Sequence, residues 1–203
     1  MGEEADQQTY HHGDLRSALL AAAEAELVET GVGGFSLRAC ARRAGVSHAA
    51  PKHHFGNADG LLNRLAAVGF TRLTEMMQRQ MQSAASPFDR LVASGCGYVA
   101  FAVENPALFK LMFSGRGKKQ ADEQLDAAGA SAFEVLRQSV AETANGQSSG
   151  LIMTDITAAW SIVHGLSHLL IEGSPALAAL TQERPLQVVI AEVVRRTLSH
   201  RER

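Results

Sequence analysis

Residues 36–56 read SLRACARRAGVSHAAPKHHFG, two short helical patterns around a glycine, with no acidic residue in the run. In the first, Leu37, Cys40, Ala41 and Ala44 fall on one face, and Ser36 stands where an N-cap belongs. Gly45 and Val46 turn the chain. The second pattern runs from a cap at Ser47 or His48 to Phe55. Pro51 and Phe55 share its inner side, while His48, Ala49, Lys52 and His53 point away. A proline in a helix interior removes a hydrogen bond and clashes with the preceding turn. Within the first turn that loss is small, because those N–H groups have no intrahelical partner. Two short helices joined by a tight glycine turn have the proportions of a helix-turn-helix, and small Ala41 and Ala44 let the second helix approach closely.

The charge of this stretch matters as much as its spacing. From Thr30 to Ala58 there are four basic residues, Arg38, Arg42, Arg43 and Lys52, and no acidic one. The whole chain has a formal net charge of −2, so this cationic surface is local. A charged face is often only a solvated one. Joined to the cap, the glycine and the small residues, it becomes a surface that attracts phosphate.

Outward from this stretch nearly every periodic segment reads as helix. A first helix is expected from Asp14 to Thr30, stopped by Gly31, with Gly33 and Gly34 in a loop. A fourth starts near Ala58 or Asp59 and carries Leu61, Leu62, Leu65, Val68, Leu73 and Met76. Prolines restart helices at Pro87 and Pro106, running to Glu104 and Gly115. The polar segment 115–119 reads as a mobile loop, then a long helix follows over 120–144 and a linker, NGQSSG. Two apolar helices are expected at Thr154–Glu172 and Pro185–Ser199, with loop between them. The 203 residues are 46 % apolar, which supports a sizeable core. The opening MGEEADQQTYHHGD is too acidic and polar for a signal peptide. No apolar run approaches the ~18 residues of a membrane span. Cys40 and Cys96 lack metal-type spacing and suit a reducing cytoplasm.

The stretch from Tyr10 to about Leu65, with AxxAGVSxxxxxxHF at its centre, resembles the DNA-binding region of the TetR/AcrR family of bacterial transcription regulators. The resemblance implies an all-α homodimer. An N-terminal three-helix helix-turn-helix DNA-binding domain, residues 1–58, is followed by a helical ligand-binding and dimerisation domain, residues 59–203. It implies a phosphate contact at Ser36, base contacts at His48, Ala49 and Ala50, and neighbouring roles for Ser47, His53 and His54. Arg38, Arg42 and Lys52 complete the expected DNA-binding set. Lys52 stands where the family usually has a phosphate-contacting tyrosine, and Ala58 where it usually has a lysine. Lysine can still meet phosphate as a point charge, whereas Ala58 removes a contact. Weaker, more salt-sensitive binding is the expectation. Alanines at 49 and 50 suit a thymine methyl better than a hydrogen-bond pattern.

In the second domain Trp160, His164 and His168 recur at i, i+4 and i+8 on one helix face. WSIVHGL resembles the Trp-x-x-x-His-Gly signature of one family subgroup, and NPALFKLMFSG its preceding segment. Phe101, Phe109, Met112, Phe113, Trp160, His164 and His168 are the candidate ligand-binding residues, although ordinary core packing would use the same residue types. A pocket of ~300–1,000 Å³ is the family-level expectation. Gly95 and Gly97 sit mid-helix at a cost of about 1 kcal/mol each relative to alanine, which suits close packing or room for a ligand. Ile162, Leu166 and Leu169 form a second apolar stripe, and Val189 and Val193 another. These are the expected dimer interface, because a helix apolar on two sides needs a second partner. A twofold dimer fits palindromic half-sites about 34–36 Å apart.

The function expected is therefore a DNA-binding transcriptional regulator, a repressor released from its double-stranded operator by a small-molecule inducer. The alternative is a small-molecule or metal sensor whose DNA head is weakened. His164 and His168 could share an ion, but no third ligand has a clear place and no metal site is assigned. No cofactor is expected. Neither a nucleophile–base pair nor a phosphate-cradling glycine loop supports an enzyme.

Overall fold

The structure, a computed structural model, describes residues 3–115, 122–143 and 149–198, and side chains from Leu15 to Arg196 within them. Every element among these residues is helical: α1 Glu3–Gly34, α2 Leu37–Arg43, α3 Ala50–Phe55, α4 Ala58–Met81, α5 Pro87–Glu104, α6 Pro106–Met112, α7 Glu123–Thr143, α8 Ser149–Ile171, α9 Pro175–Gln182 and α10 Leu186–Leu198. The chain is all-α, as its periodicities indicate. Most of the expected 115–119 loop and the 145–150 linker lies outside the described residues.

Three expectations need correction. The first helix begins at Glu3, because nothing in EEADQQTYHHGD breaks it before Leu15. Gly31 does interrupt it, at φ 66°. Gly33 and Gly34 nevertheless make one further helical turn before Phe35. The segment between the two C-terminal helices contains α9, PALAALTQ, with Ser174 before it and Pro175 in its first turn. Proline suits that position, and the alanines and leucines behind it are strong helix formers.

The chain forms two compact units, Met1–Gly69 with Ala107–Asp126, and Phe70–Pro106 with Ala127–Arg203. In the first, Leu19, Ala23 and Leu27 of α1 are buried with Cys40 and Ala41 of α2, Phe55 of α3 and Leu61, Leu62 and Leu65 of α4. Leu108, Phe109, Leu111 and Met112 bury the apolar side of α6. Each fully buried Leu or Phe stabilises the fold by about 1.5–3 kcal/mol.

In the second unit α5 packs against both α8 and α10. Its start follows from local chemistry: Ser86 caps it by accepting from the Asp89 N–H at 3.1 Å, with Pro87 in the first turn. Gly95 and Gly97 serve close packing rather than space for a ligand. A Cβ at Gly95 would lie 3.0 Å from Val194 and 3.1 Å from Val163, and one at Gly97 only 2.9 Å from the Met77 Cα. No described helix is long and apolar enough to cross a membrane.

Candidate functional site

The turn between α2 and α3 is set by glycine. Gly45 has φ 68°, a conformation that costs residues with a Cβ. Around it the Val46 N–H reaches back to the Ala41 carbonyl at 3.0 Å and the Gly45 N–H to the Arg42 carbonyl at 3.2 Å, closing α2 in a Schellman arrangement. Ser36 holds the N-cap position of α2, but its hydroxyl makes no cap bond. The second helix starts later than expected. Ser47 and His48 form a turn, with the Ala50 N–H on the Ser47 carbonyl at 3.1 Å, and Ala49 is the N-cap of α3. Pro51 thus sits at the second helical position, buried beside Phe55, where it forfeits no intrahelical bond.

This arrangement presents Arg38, Arg42, Ser47, His48, Ala49, Lys52 and His53 to solvent, while Ser36, Ala50 and His54 are half-buried. Arg38, Arg42 and Lys52 have no carboxylate partner among the described residues. Arg43 differs. Its Nη2 donates to Glu26 at 3.3 Å and also to Glu29, tying α2 to α1. The signal for this was present in the sequence: Glu26 interrupts the apolar stripe of α1, and it is 5 % exposed. A carboxylate on a buried stripe needs a cation.

The α3–α4 corner went unread. Asn57 Oδ1 accepts from the Gly60 N–H at 2.8 Å at the start of α4. A Cβ at Gly60 would fall 2.1 Å from the Phe55 carbonyl oxygen, so the end of α3 can lie against α4 only because that side chain is missing.

The candidate ligand residues divide between the units. Phe109, Met112 and Phe113 belong to the first, where the Phe109 and Phe113 rings meet at a tilt of 55°, with 4.9 Å between their centroids. Phe101, Trp160, His164 and His168 belong to the second. Phe101 and Phe109 are completely buried in their cores. Along α8 the Trp160, His164 and His168 rings follow one another at 6.1 and 4.7 Å, and Phe133 of α7 meets Trp160 at 6.5 Å. Tyr98 of α5 joins them. Its hydroxyl lies 2.9 Å from His164 Nδ1 and accepts from Trp160 Nε1 at 3.4 Å. Burial pushes the Tyr98 phenol well above its ordinary range, so it stays protonated, and the His164 tautomer sets which of the two groups donates. Burial, with the charge of His168 added, holds His164 below the ordinary histidine value. His168 also lies 3.7 Å from Glu172, and no group of three or more His, Cys, Asp or Glu among the described residues is placed to hold a metal ion.

Of the expected dimer residues, Leu166 and Val189 are buried within the single chain, Ile162 and Val193 half-buried, and Leu169 half exposed. A groove of about 520 Å³ runs along α5 and α10, with Val92, Ala93, Cys96, Ile190 and Ala191 on its walls. The Asp89–Arg195 ion pair, 2.7 Å long, lies at its edge. Nothing in the periodicity pointed to it, because its walls are mostly small residues from distant segments.

Residues 19–65 match the bacterial regulatory proteins of the tetR family, and residues 91–193 match the tetracyclin repressor-like C-terminal domain. The second match alone covers half the chain. This protein belongs to the TetR family. A Rhodococcus sp. RHA1 protein of unknown function is 34 % identical over 95 % of this chain and 98 % of its own, with a TM-score of 0.74. The TetR-family regulator PfmR from Thermus thermophilus shares the fold at 19 % identity, covering 91 % of this chain and 99 % of that one, TM-score 0.67. AibR, solved with isovaleryl coenzyme A and operator DNA, shares it at 15 % identity, covering 89 % and 96 %, TM-score 0.64. No curated protein matches. The chain is thus a TetR-family DNA-binding regulator, with the family's helix-turn-helix in α2 and α3.

Proposed function

We propose that this regulator is a homodimeric repressor that leaves a palindromic operator when a small molecule binds its second domain. The observation that carries the reading is the cationic face of the head, where Arg38, Arg42 and Lys52 have no carboxylate partner among the described residues, on a chain whose net charge is negative. In this reading those three meet phosphate with Ser36 and Ser47, and α3 offers His48, Ala49 and Ala50 to base edges, with His53 and His54 beside them. The domain division falls at residues 58 and 59. Trp160, His164 and His168 orient the inducer, with Phe101 of the same compact unit as apolar lining. The dimer forms through the α8 and α10 faces that carry Ile162, Leu166, Leu169, Val189 and Val193. Exposed Leu169 and Val188 support an apolar partner there. WSIVHGL supports a second domain of the Trp-x-x-x-His-Gly subgroup, and the regulator works in the cytoplasm, where its operator lies. AibR, crystallised with an acyl coenzyme A and its operator, supports coupling of a small ligand to DNA in this fold. The ligand must bind the operator-competent and released states with different affinity.

Selection from a random duplex pool by the purified full-length protein, at two salt concentrations, tests this. An enriched palindrome supplies the operator and lets inducers be screened by loss of binding. Lys52 and Ala58 favour a second reading, a sensor with a weakened head. No enrichment at either salt would establish that reading instead.

A further inference from the structure

At the end of the recognition helix lies a small polar cavity of about 170 Å³, whose lining includes none of Arg38, Arg42 and Lys52. Arg16 of α1, His54 and Phe55 of α3, Asn63 and Arg64 of α4, and Asp122 before α7 line it, all from the first compact unit. Arg64 Nη1 is buried without a hydrogen-bond partner among the described residues. A buried donor left unsatisfied is costly, and guanidinium N–H groups are rarely abandoned in this way. Asn63 is 5 % exposed and lines the same cavity. Arg16 stands at the cavity with its guanidinium 5.3 Å from the Phe55 ring centre.

The charge balance decides what the cavity would accept. Arg16 and Arg64 bring two positive charges against the single carboxylate of Asp122. That carboxylate is divided between the start of α7 and Arg64. Its Oδ1 accepts from the Gln124 and Leu125 N–H groups at 3.1 and 3.2 Å, at the positive end of α7. Its Oδ2 lies 3.7 Å from Arg64 Nε, beyond hydrogen-bond length. What remains is a cationic, donor-rich cavity with an orphaned guanidinium N–H. Since a water occupies roughly 30 Å³ of liquid, there is room for a four-oxygen ion with a few waters.

We infer that this cavity binds a small free oxyanion, with inorganic phosphate as its simplest occupant, held by Arg64, Arg16 and the Asn63 amide. Charge-assisted bonds from guanidinium to such oxygens are the strong class of hydrogen bond. A phosphate of the DNA backbone offers the same chemistry, but a duplex cannot follow a donor that is buried below the surface. Because His54 and Phe55 end the recognition helix and Gly60 begins the helix behind it, occupancy ties α1, α3 and α4 together at the base of the head. The inference does not depend on an inducer, on repression or on the dimer.

Titrating inorganic phosphate into the full-length protein at constant ionic strength, by calorimetry and by thermal unfolding, tests it. Saturable binding is expected, with a rise of roughly 2–4 °C in Tm at phosphate about fivefold above Kd. Arg64→Gln should weaken phosphate at least about tenfold, and Arg90→Gln, a surface change in the other unit, should not. If Arg64→Gln fails to fold, Arg16→Gln, exposed at the cavity, serves the same purpose and should also weaken binding. No saturable heat, or an equal response in the Arg64 and Arg16 variants, would overturn the inference. That pattern is general stabilisation by an excluded salt. It would equally be overturned if phosphate were silent while Arg64→Gln lowered the DNA salt slope by about 0.9, since the site would then serve the duplex backbone.

Discussion

In the second compact unit Arg90 lies on Glu142, Arg137 on Glu134, Arg195 on Asp89, and Arg184 and Arg196 both on Glu192. In the head Arg38, Arg42 and Lys52 have no such partner among the described residues. Exposed pairs of the first kind contribute little stability, but they cancel the local field. The head keeps its field, although like charges held close together repel. A surface maintained against that repulsion is shaped by what it meets. The contrast recurs between adjacent residues, since Arg43 turns to Glu26 and Glu29 of α1 while Arg42 stays in solvent.

Replacing Arg38, Arg42 and Lys52 together by Gln is the severest test of that contrast. Affinity for duplex DNA should fall on the order of a hundredfold, and the salt slope by roughly 2.7, at about 0.9 for each lost phosphate contact. Gln at Arg90, Arg137 and Arg184 should leave both unchanged, and a comparable fall there would break the comparison. A smaller effect, on stability, is expected from Gly97→Val, which drives a side chain into the Met77 backbone. Urea titration should show a loss of about 1–3 kcal/mol with the DNA salt slope intact. Smaller again is Arg43→Gln, which leaves Glu26 without its guanidinium. The urea midpoint should fall by less than in Gly97→Val, because solvent screens the partly exposed arginine, while the salt slope holds. Arg42→Gln should do the reverse, and identical behaviour of the two variants would erase the distinction between neighbours.

The smallest effect is one of pH and belongs to the second unit. Burial holds the folded His164 below its free value, so its contribution is present above the unfolded pKa of about 6.5 and is lost as pH falls through the folded value. Tm should drop by roughly 1–2 °C between pH 7 and 5 on this account, less in His164→Gln. An unchanged drop in that variant would locate the acid sensitivity elsewhere.

Period and punctuation made much of this legible. Leu19, Leu27, Leu61 and Leu65 are core because helical spacing puts them there, and Pro87, Pro106 and Gly45 mark real boundaries. The misses have physical causes. Ser47 is a good cap by type, yet the chain spends it in a turn and begins α3 after Ala49. The prolines and glycine around α9 resemble loop until Pro175 is placed in a first turn. Asn57 with Gly60, Tyr98 with His164, and Arg64 with Asp122 are meetings between segments, and no local pattern carries the distance between them.

The two cysteines have a practical consequence. Cys40 is fully buried in α2, and burial, with Glu26 adding, pushes its thiol up to about 11. Cys96, half-buried in α5, is raised as well, chiefly by burial. Alkylating reagents attack the thiolate, so at neutral pH Cys40 should react slowly until its surroundings open, while Cys96, on the wall of the groove, is slowed by its raised thiol alone. One cysteine lies in each compact unit. The unmodified chain therefore contains a labelling clock, and the rate at Cys40 in mild denaturant, referred to that at accessible Cys96, would time the opening of the DNA head.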